Sequence, residues 1–323
     1  MPHRSDRPGE PLVSVLMPVY NAERYVGEAV ASILGQSFGD FELLVLDDGS
    51  EDGSLDVVEA VGAGDPRLRV FRECHAGLAE RLRAGVDHAR GELVARQDAD
   101  DASRPQRFAR QVDYLQRHPE CSAVGVGALF VDPEGRPIRE QQRPLDHREI
   151  ENLLLSGQGN ALIHSGAMFR RDRLIAAGSY RPESEPAEDV DLYLRLAERG
   201  RLANLPEVLL VVREHLTRVS KLRAGEQRRR LDAVVGAARR RRGLCAAAPS
   251  AAGVPEQLSP AECWRRGARD ATEGGHLATA RRYAWAALRA EPLRPRSWQI
   301  LARALLGLRL EPVRRRLRGA RAG

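Results

Sequence analysis

The chain of 323 residues has one lysine (Lys221), four cysteines and only 5% aromatic residues. No stretch approaches the roughly 20 consecutive apolar residues of a membrane-spanning helix. The opening MPHRSDRPGEP lacks the apolar core of a signal peptide, so a cytoplasmic chain is expected, with residues 1–10 disordered. Cys74, Cys121, Cys245 and Cys263 form no CxxC pair, which excludes a zinc ribbon and argues against a disulfide framework. GxGxxG is missing after the first apolar run. There the chain reads Pro18-Val19-Tyr20-Asn21-Ala22-Glu23, with no glycine before Gly27. That excludes a dinucleotide-binding turn and the glycine-rich loop of a sugar nucleotidyltransferase. Response-regulator chemistry needs a lysine at a late strand end, and the lone lysine lies elsewhere.

Acidic residues are few beyond residue 220, eight against 24 basic ones. The net charge of +6 averages −10 over residues 1–220 with +16 over residues 221–323. The basic part contains no recognisable nucleic-acid-binding motif, so nucleic acid is not an expected partner. Its runs Arg239–Arg242 and Arg314–Arg318 suit a peripheral contact with anionic lipid at the inner face of the cell membrane, each basic residue near the surface contributing about 1 kcal/mol.

What is present is an alternation of short apolar runs and amphipathic stretches. Leu12–Met17 reads as a buried strand ended by Pro18, followed by a helix capped by Asn21 with Val26, Ala29, Val30, Ile33 and Leu34 on one face. Strands at Phe41–Leu46, Leu68–Phe71 and Glu92–Arg96 alternate with helices at Ser54–Val61 and Gly77–Ala89. This order predicts an α/β fold with a parallel sheet covered on both faces. Ligands of such sheets sit beyond the carboxyl ends of the strands, where Pro18–Asn21, Asp47–Ser50 and Asp98–Asp101 all fall. Further on, strands are expected near Ala123–Val131, Gly166–Arg170 and Val208–Arg213, with helices at Pro105–Arg117, Arg148–Leu155 and Ala187–Arg199. From 221 the chain reads as a basic helical region with a linker at about 245–260. Ala261–Ala290 and Ser297–Leu308 follow as paired helices, weakly similar to one tetratricopeptide-like unit.

Three groups carry possible chemistry. Asp98-Ala99-Asp100-Asp101 puts three carboxylates within one turn, a repulsion that a bound hard cation such as Mg²⁺ or Mn²⁺ relieves; an acidic helix start gives the same pattern. An EF-hand is excluded, because the loop lacks the required glycine and distal glutamate. Asp47-Asp48-Gly49-Ser50 is a tight turn or a binding turn. Glu188-Asp189-Val190-Asp191 opens a helix and offers a general base or dipole partners. His164 and His215 are, taken singly, ordinary polar histidines.

Taken together, PLVSVLMPVYNAERYVGEAVASILGQSFGDFELLVLDDGSEDGS, ARGELVARQDADDASRPQRFARQVDYL, HSGAMFRR, EDVDLYLRLAERG and LANLPEVLLVVREH resemble the family 2 glycosyltransferases, in order, from about Leu12 to Ser220. The resemblance implies a GT-A catalytic domain over 11–220, Rossmann-like and mostly parallel, followed by the helical region 221–323. It implies inverting transfer of a sugar from a nucleotide-diphosphate donor to a saccharide or lipid-linked acceptor, in cell-surface polysaccharide or glycolipid synthesis, with Mn²⁺ or Mg²⁺. By position, Pro18, Val19, Tyr20 and Glu23 match the segment that meets the nucleotide, and Asp48 the carboxylate that holds base or ribose. Asp98 and Asp100 match the DxD pair, Asp98 toward ribose or metal and Asp100 as the main metal ligand, joined by His215. Asp189 matches the catalytic base, with His164 and Glu188 on the acceptor side. Two departures stand out: the family's Gly-Gly-Tyr loop is Ala177-Gly178-Ser179-Tyr180 here, and its His-Pro-Ser is His164-Ser165-Gly166.

Overall fold

The computed structural model describes residues 9–159, 161–214, 224–245 and 259–308. His215, Lys221, residues 1–8, most of the linker and the Arg314–Arg318 run lie outside the described residues. The chain divides into two compact units, one of residues 1–129 and 141–255, the other of 130–140 and 256–323.

The first unit is built on a sheet. Strands β1 (Val13–Val19), β2 (Phe41–Asp47), β3 (Leu68–Arg72) and β4 (Leu93–Arg96) pair in parallel. Every residue of β2 and β4, and all of β1 except Pro18, is buried, as a sheet covered on both faces requires. The remaining strands are β5 (Ala102–Ser103), β6 (Cys121–Val131), β7 (Pro137–Gln141), β8 (Met168–Arg170) and β9 (Arg201–Arg213). They extend the sheet in the order β3-β2-β1-β4-β8-β6-β9-β5, with β7 paired to β6. β8 is antiparallel to both β4 and β6, and β5 is antiparallel to β9.

Two local expectations are corrected. Pro18 does not end β1: the strand continues to Val19, opposite Asp47. The Leu16 carbonyl accepts from Gln97 on the β4 side, so strand alternation turns the donor-less Pro18 nitrogen to that same side, where β4 has already ended at Arg96. Nor does Asn21 cap the first helix. It adopts a left-handed conformation (φ 48°), its amide donates to Ser50 Oγ and its Oδ1 accepts from the Glu51 amide, which ties the first strand end to the second.

Helices α1 (Glu23–Leu34), α2 (Ser54–Val61), α3 (Leu78–His88), α4 (Arg107–Arg117), α5 (His147–Leu155), α6 (Arg171–Ala176), α7 (Glu188–Ala197) and α8 (Ala224–Arg241) complete the unit. Leu44, Leu46, Leu82, Val86, Phe169, Leu194 and Val235 share one core across the sheet, α3, α7 and α8. Each such side chain contributes roughly 2 kcal/mol by leaving water. Fully buried Arg107 of α4 donates to the Arg96 carbonyl, Gln97 Oε1 and Ser103 Oγ. Those three acceptors bracket residues 98–101, so Arg107 holds the acidic turn in place from beneath.

In the second unit, α9 (Pro260–Glu273), α10 (Leu277–Ala290) and α11 (Pro295–Leu306) pack around Ile138, Ala268, Ala271, Ala280, Ala284 and Leu301. The expected single stretch Ala261–Ala290 is two helices. It breaks at Gly274-Gly275, where Gly275 takes φ 83° and a Cβ on Gly274 would lie 2.6 Å from the Ile138 carbonyl oxygen.

Candidate active site

The three strand ends form one rim. At the end of β2, Gly49 has φ 76°, and a Cβ there would meet the His75 amide nitrogen at 3.0 Å, so the Asp47-Asp48-Gly49-Ser50 turn requires glycine. Asp48 is buried, its oxygens accepting from the amides of Ala76 (2.8 Å) and Gly77 (3.0 Å) and pairing with His75 Nδ1 (2.9 Å) and Arg81 Nε (3.1 Å). Two amide hydrogen bonds and two basic neighbours thus engage both oxygens of Asp48. Asp48 thereby fixes the 75–77 loop, and Tyr20, half exposed, faces His75 with ring centroids 4.4 Å apart. Val19 is buried in β1 and Pro18 partly so. Glu23 is exposed and its Oε2 accepts from the Gly53 amide at 3.2 Å, joining the starts of α1 and α2.

Beyond β4, ligand oxygens of Asp98, Asp100 and Asp101 lie within 4.8 Å of one another. The three differ in freedom. Asp101 is buried, with Oδ2 accepting from Ser165 Oγ (2.6 Å) and Oδ1 from the Arg213 amide (2.9 Å). It clamps the end of β9 onto the acidic turn, and Arg213 Nε reinforces the clamp at the Asp100 carbonyl. Asp98 and Asp100 are the more accessible pair.

Arg96, 2% exposed, was not singled out among the sequence candidates. Its Nη2 lies 2.5 Å from Asp98 Oδ1, while Nε and Nη1 have no hydrogen-bond partner. Burial pulls its pKa down, but the charge and hydrogen bond of Asp98 lead the influences that outweigh this and raise it, so it stays charged. The only sequence signal was a charge closing the apolar strand Leu93-Val94-Ala95-Arg96.

Around Arg96 stand the acceptor-side candidates. His164 Nε2 lies 3.0 Å from Tyr180 Oη, and burial, with Arg96 nearby, pushes its pKa down to about 3. His164 is therefore neutral at physiological pH. The departure loop delivers Tyr180: Gly178 (φ 84°) and Ser179 (φ 51°) turn the chain so that its ring is buried. At the start of α7, Glu188 is buried with Oε2 unpartnered, and burial, then the neighbouring Asp189, raises its pKa to about 8. Asp189 is only half buried at its surface and accepts from the Val190 amide at 2.7 Å. Its pKa is also raised, by burial foremost and by Asp98, with Arg96 opposing. The two carboxyls raise each other, so a proton held on one eases ionisation of the other.

The sign of the pH dependence follows. Between 4.5 and about 8 the folded state holds a proton on Glu188 that the unfolded chain releases, so this contribution is lost as pH rises. His164 acts oppositely, its contribution being lost as pH falls from 6.5 toward 3. Above pH 6.5 only Glu188 remains of the two. Stability should therefore decline from pH 6.5 to 8, by at most about 1.4 kcal/mol per pH unit, and Glu188→Gln should flatten the decline in a melting series. An unchanged slope in the variant would contradict the assignment.

The Arg239–Arg242 run is largely occupied by protein. Arg239 donates to the Leu155 carbonyl, Arg241 pairs with Glu198, and Arg242 pairs with Glu151 and Glu198. Among the described residues no helix is long and apolar enough to cross a membrane.

Residues 14–176 match the family described as Glycosyl transferase family 2. EpsE of Bacillus subtilis (strain 168) is 36% identical over 209 residues, covering 63% of this chain and 73% of its own. AmsE of Erwinia amylovora, an amylovoran biosynthesis glycosyltransferase, is 33% identical over 216 residues, covering 66% and 80%. Among solved structures, TarS 1–349 of S. aureus aligns at TM-score 0.55 and 18% identity over 92% of each chain. The mannosyltransferase PcManGT from Pyrobaculum calidifontis, in complex with GDP-Man and Mn²⁺, aligns at TM-score 0.55 and 22% identity over 93% of this chain and 81% of that one. The fold is of the GT-A type. The chain belongs to glycosyl transferase family 2.

Proposed function

We propose that this protein transfers a sugar, with inversion, from a nucleotide-diphosphate donor to a hydroxyl of a saccharide or lipid-linked acceptor in polysaccharide synthesis. The observation that carries the reading is the placing of the Asp98–Asp101 turn and the Glu188–Asp189 pair around one buried cation, Arg96. The names of the relatives, amylovoran biosynthesis among them, support the product class.

In this reading Asp189 removes the proton from the attacking hydroxyl, and Glu188 and His164, both neutral near pH 7, border the acceptor without competing for that proton. Tyr20 and His75, on the loop held by Asp48, offer a face for the base, with Pro18, Val19 and Glu23 shaping the rim. The hard oxygens of Asp98 and Asp100, clustered with Asp101, suit Mn²⁺ or Mg²⁺, and His215 is proposed beside them. When bound, such an ion neutralises charge that develops on the leaving diphosphate.

The test is a panel of nucleotide sugars assayed for nucleoside diphosphate release. Release with Mn²⁺ should fall at least about tenfold with chelator, and Asp100→Asn should match the chelated enzyme, since removing one hard ligand weakens the site. Release from no donor in the panel would remove the transfer assignment, and full activity in chelator would remove the metal.

A further inference from the structure

The second unit contains a cleft with a volume of about 610 Å³ that shares no residue with this site. It is lined by Trp264, Tyr283 and Trp285 together with Arg136, Arg282 and Arg289. Trp264 and Tyr283 pack into the unit's core, but Trp285 is 47% exposed, a large ring that packing does not account for. We infer that this cleft binds an acidic saccharide chain, the growing polymer or its acceptor. The inference rests on the proposed product class.

The geometry of α10 sets the spacing. Arg282, Trp285 and Arg289 follow at intervals of three and four, so they share one helix face. The two arginines are separated by about 10 Å along the axis, at 1.5 Å per residue. Such a ladder suits a chain with acidic groups repeated at intervals better than a single small anion. Neither Arg282 nor Arg289 forms an ion pair among the described residues, so both forks are open to carboxylates.

The wall is rigid. Tyr283 is buried against Trp264, ring centroids 5.2 Å apart, and its hydroxyl is hydrogen-bonded to the fully buried Asp132. Asp132 also accepts from the amides of Glu134 (3.0 Å) and Arg136 (2.8 Å) and from Arg136 Nε (2.7 Å). The 132–136 turn is thereby fixed to α10, and a preformed site loses less entropy on binding. Aromatic faces backed by a few placed polar groups are the usual lining of a small-molecule site. What separates an acidic saccharide from a polyacidic peptide here is the exposed Trp285 face, on which a sugar ring can stack between the two arginines. The concavity does not fit a flat lipid surface.

The probe is a labelled decasaccharide alternating uronic acid with N-acetylhexosamine, titrated into the full chain. Saturable binding is expected, weakened roughly tenfold or more by Trp285→Ala and by Arg282→Gln/Arg289→Gln, each with an unchanged melting temperature because these side chains are exposed. A neutral dextran decasaccharide and polyglutamate should each bind at least roughly tenfold more weakly. No saturable binding, equal binding of polyglutamate, or indifference to Trp285→Ala would overturn the inference. Donor turnover is measured on the same sample. Turnover without decasaccharide binding overturns this inference alone, whereas binding without turnover from any donor overturns the proposed transfer and leaves the cleft as a saccharide site.

Discussion

Asp189→Asn is expected to reduce sugar transfer by about 10²–10⁴-fold, the usual contribution of a general base, while binding of the nucleoside diphosphate survives. The substitution is nearly isosteric, and an Asn side-chain oxygen still accepts from the Val190 amide, so the start of α7 keeps its hydrogen bond. What disappears is the carboxylate assigned to take the proton of the attacking hydroxyl. Glu188 does not replace it, because burial is the largest influence on its carboxyl and persists when Asp189 is neutral. The measurement is single-turnover transfer alongside a nucleoside diphosphate titration. Transfer at the parent rate would remove Asp189 as the base, and loss of nucleotide binding with it would mark a structural residue. The half-buried setting of Asp189 adds a signature: the acid limb of the parent rate profile should lie above the ordinary value of 3.8.

The rim was legible in the sequence because strand ends can be located from apolar runs, and the rim of a parallel sheet is where its ligands sit. Asp48, Asp98 and Asp100 each stood at such a boundary, and Asp189 at an expected helix start. Side-chain partnership was not legible. Nothing in DDGS indicates that both oxygens of Asp48 are taken by the 75–77 loop, and nothing in DADD separates Asp101, occupied by Ser165 and Arg213, from its two neighbours. Those partners lie 28 to 112 residues away in sequence. The short strands β5 and β7 also escaped notice, since their two and five residues carry no alternation strong enough to register. Pro18 misled because proline is a strand breaker only where its nitrogen faces a neighbour. The break at Gly274-Gly275 was visible as a dipeptide, yet the apolar period continues across it, and only the Ile138 carbonyl beside Gly274 shows why the chain must turn there.

Arg96→Met should leave the melting temperature unchanged or raise it while lowering transfer by roughly 10–100-fold. The two directions have one cause. A fully buried guanidinium with two unpartnered nitrogens carries a large desolvation cost, which an apolar side chain of similar size removes together with the ion pair. Asp98 keeps 28% of its side-chain surface in water and can be hydrated when its partner is gone. Arg107 also benefits: burial and then the charge of Arg96 hold its pKa down at about 9, and removing that charge relaxes the repulsion. Activity moves the other way, because Arg96 is the cation that opposes the upward shifts of both Glu188 and Asp189. Without it the base holds its proton more tightly, and below its pKa each unit of upward shift removes about tenfold of the ionised form. The acid limb of the rate profile should therefore move to higher pH, and Arg96→Lys, which restores a charge without the fork, should recover part of it. A variant that loses stability and keeps the parent profile would make Arg96 a structural residue. Lost activity with an unshifted limb would place its effect on donor binding through Asp98, which a rise in donor KM at constant kcat would register.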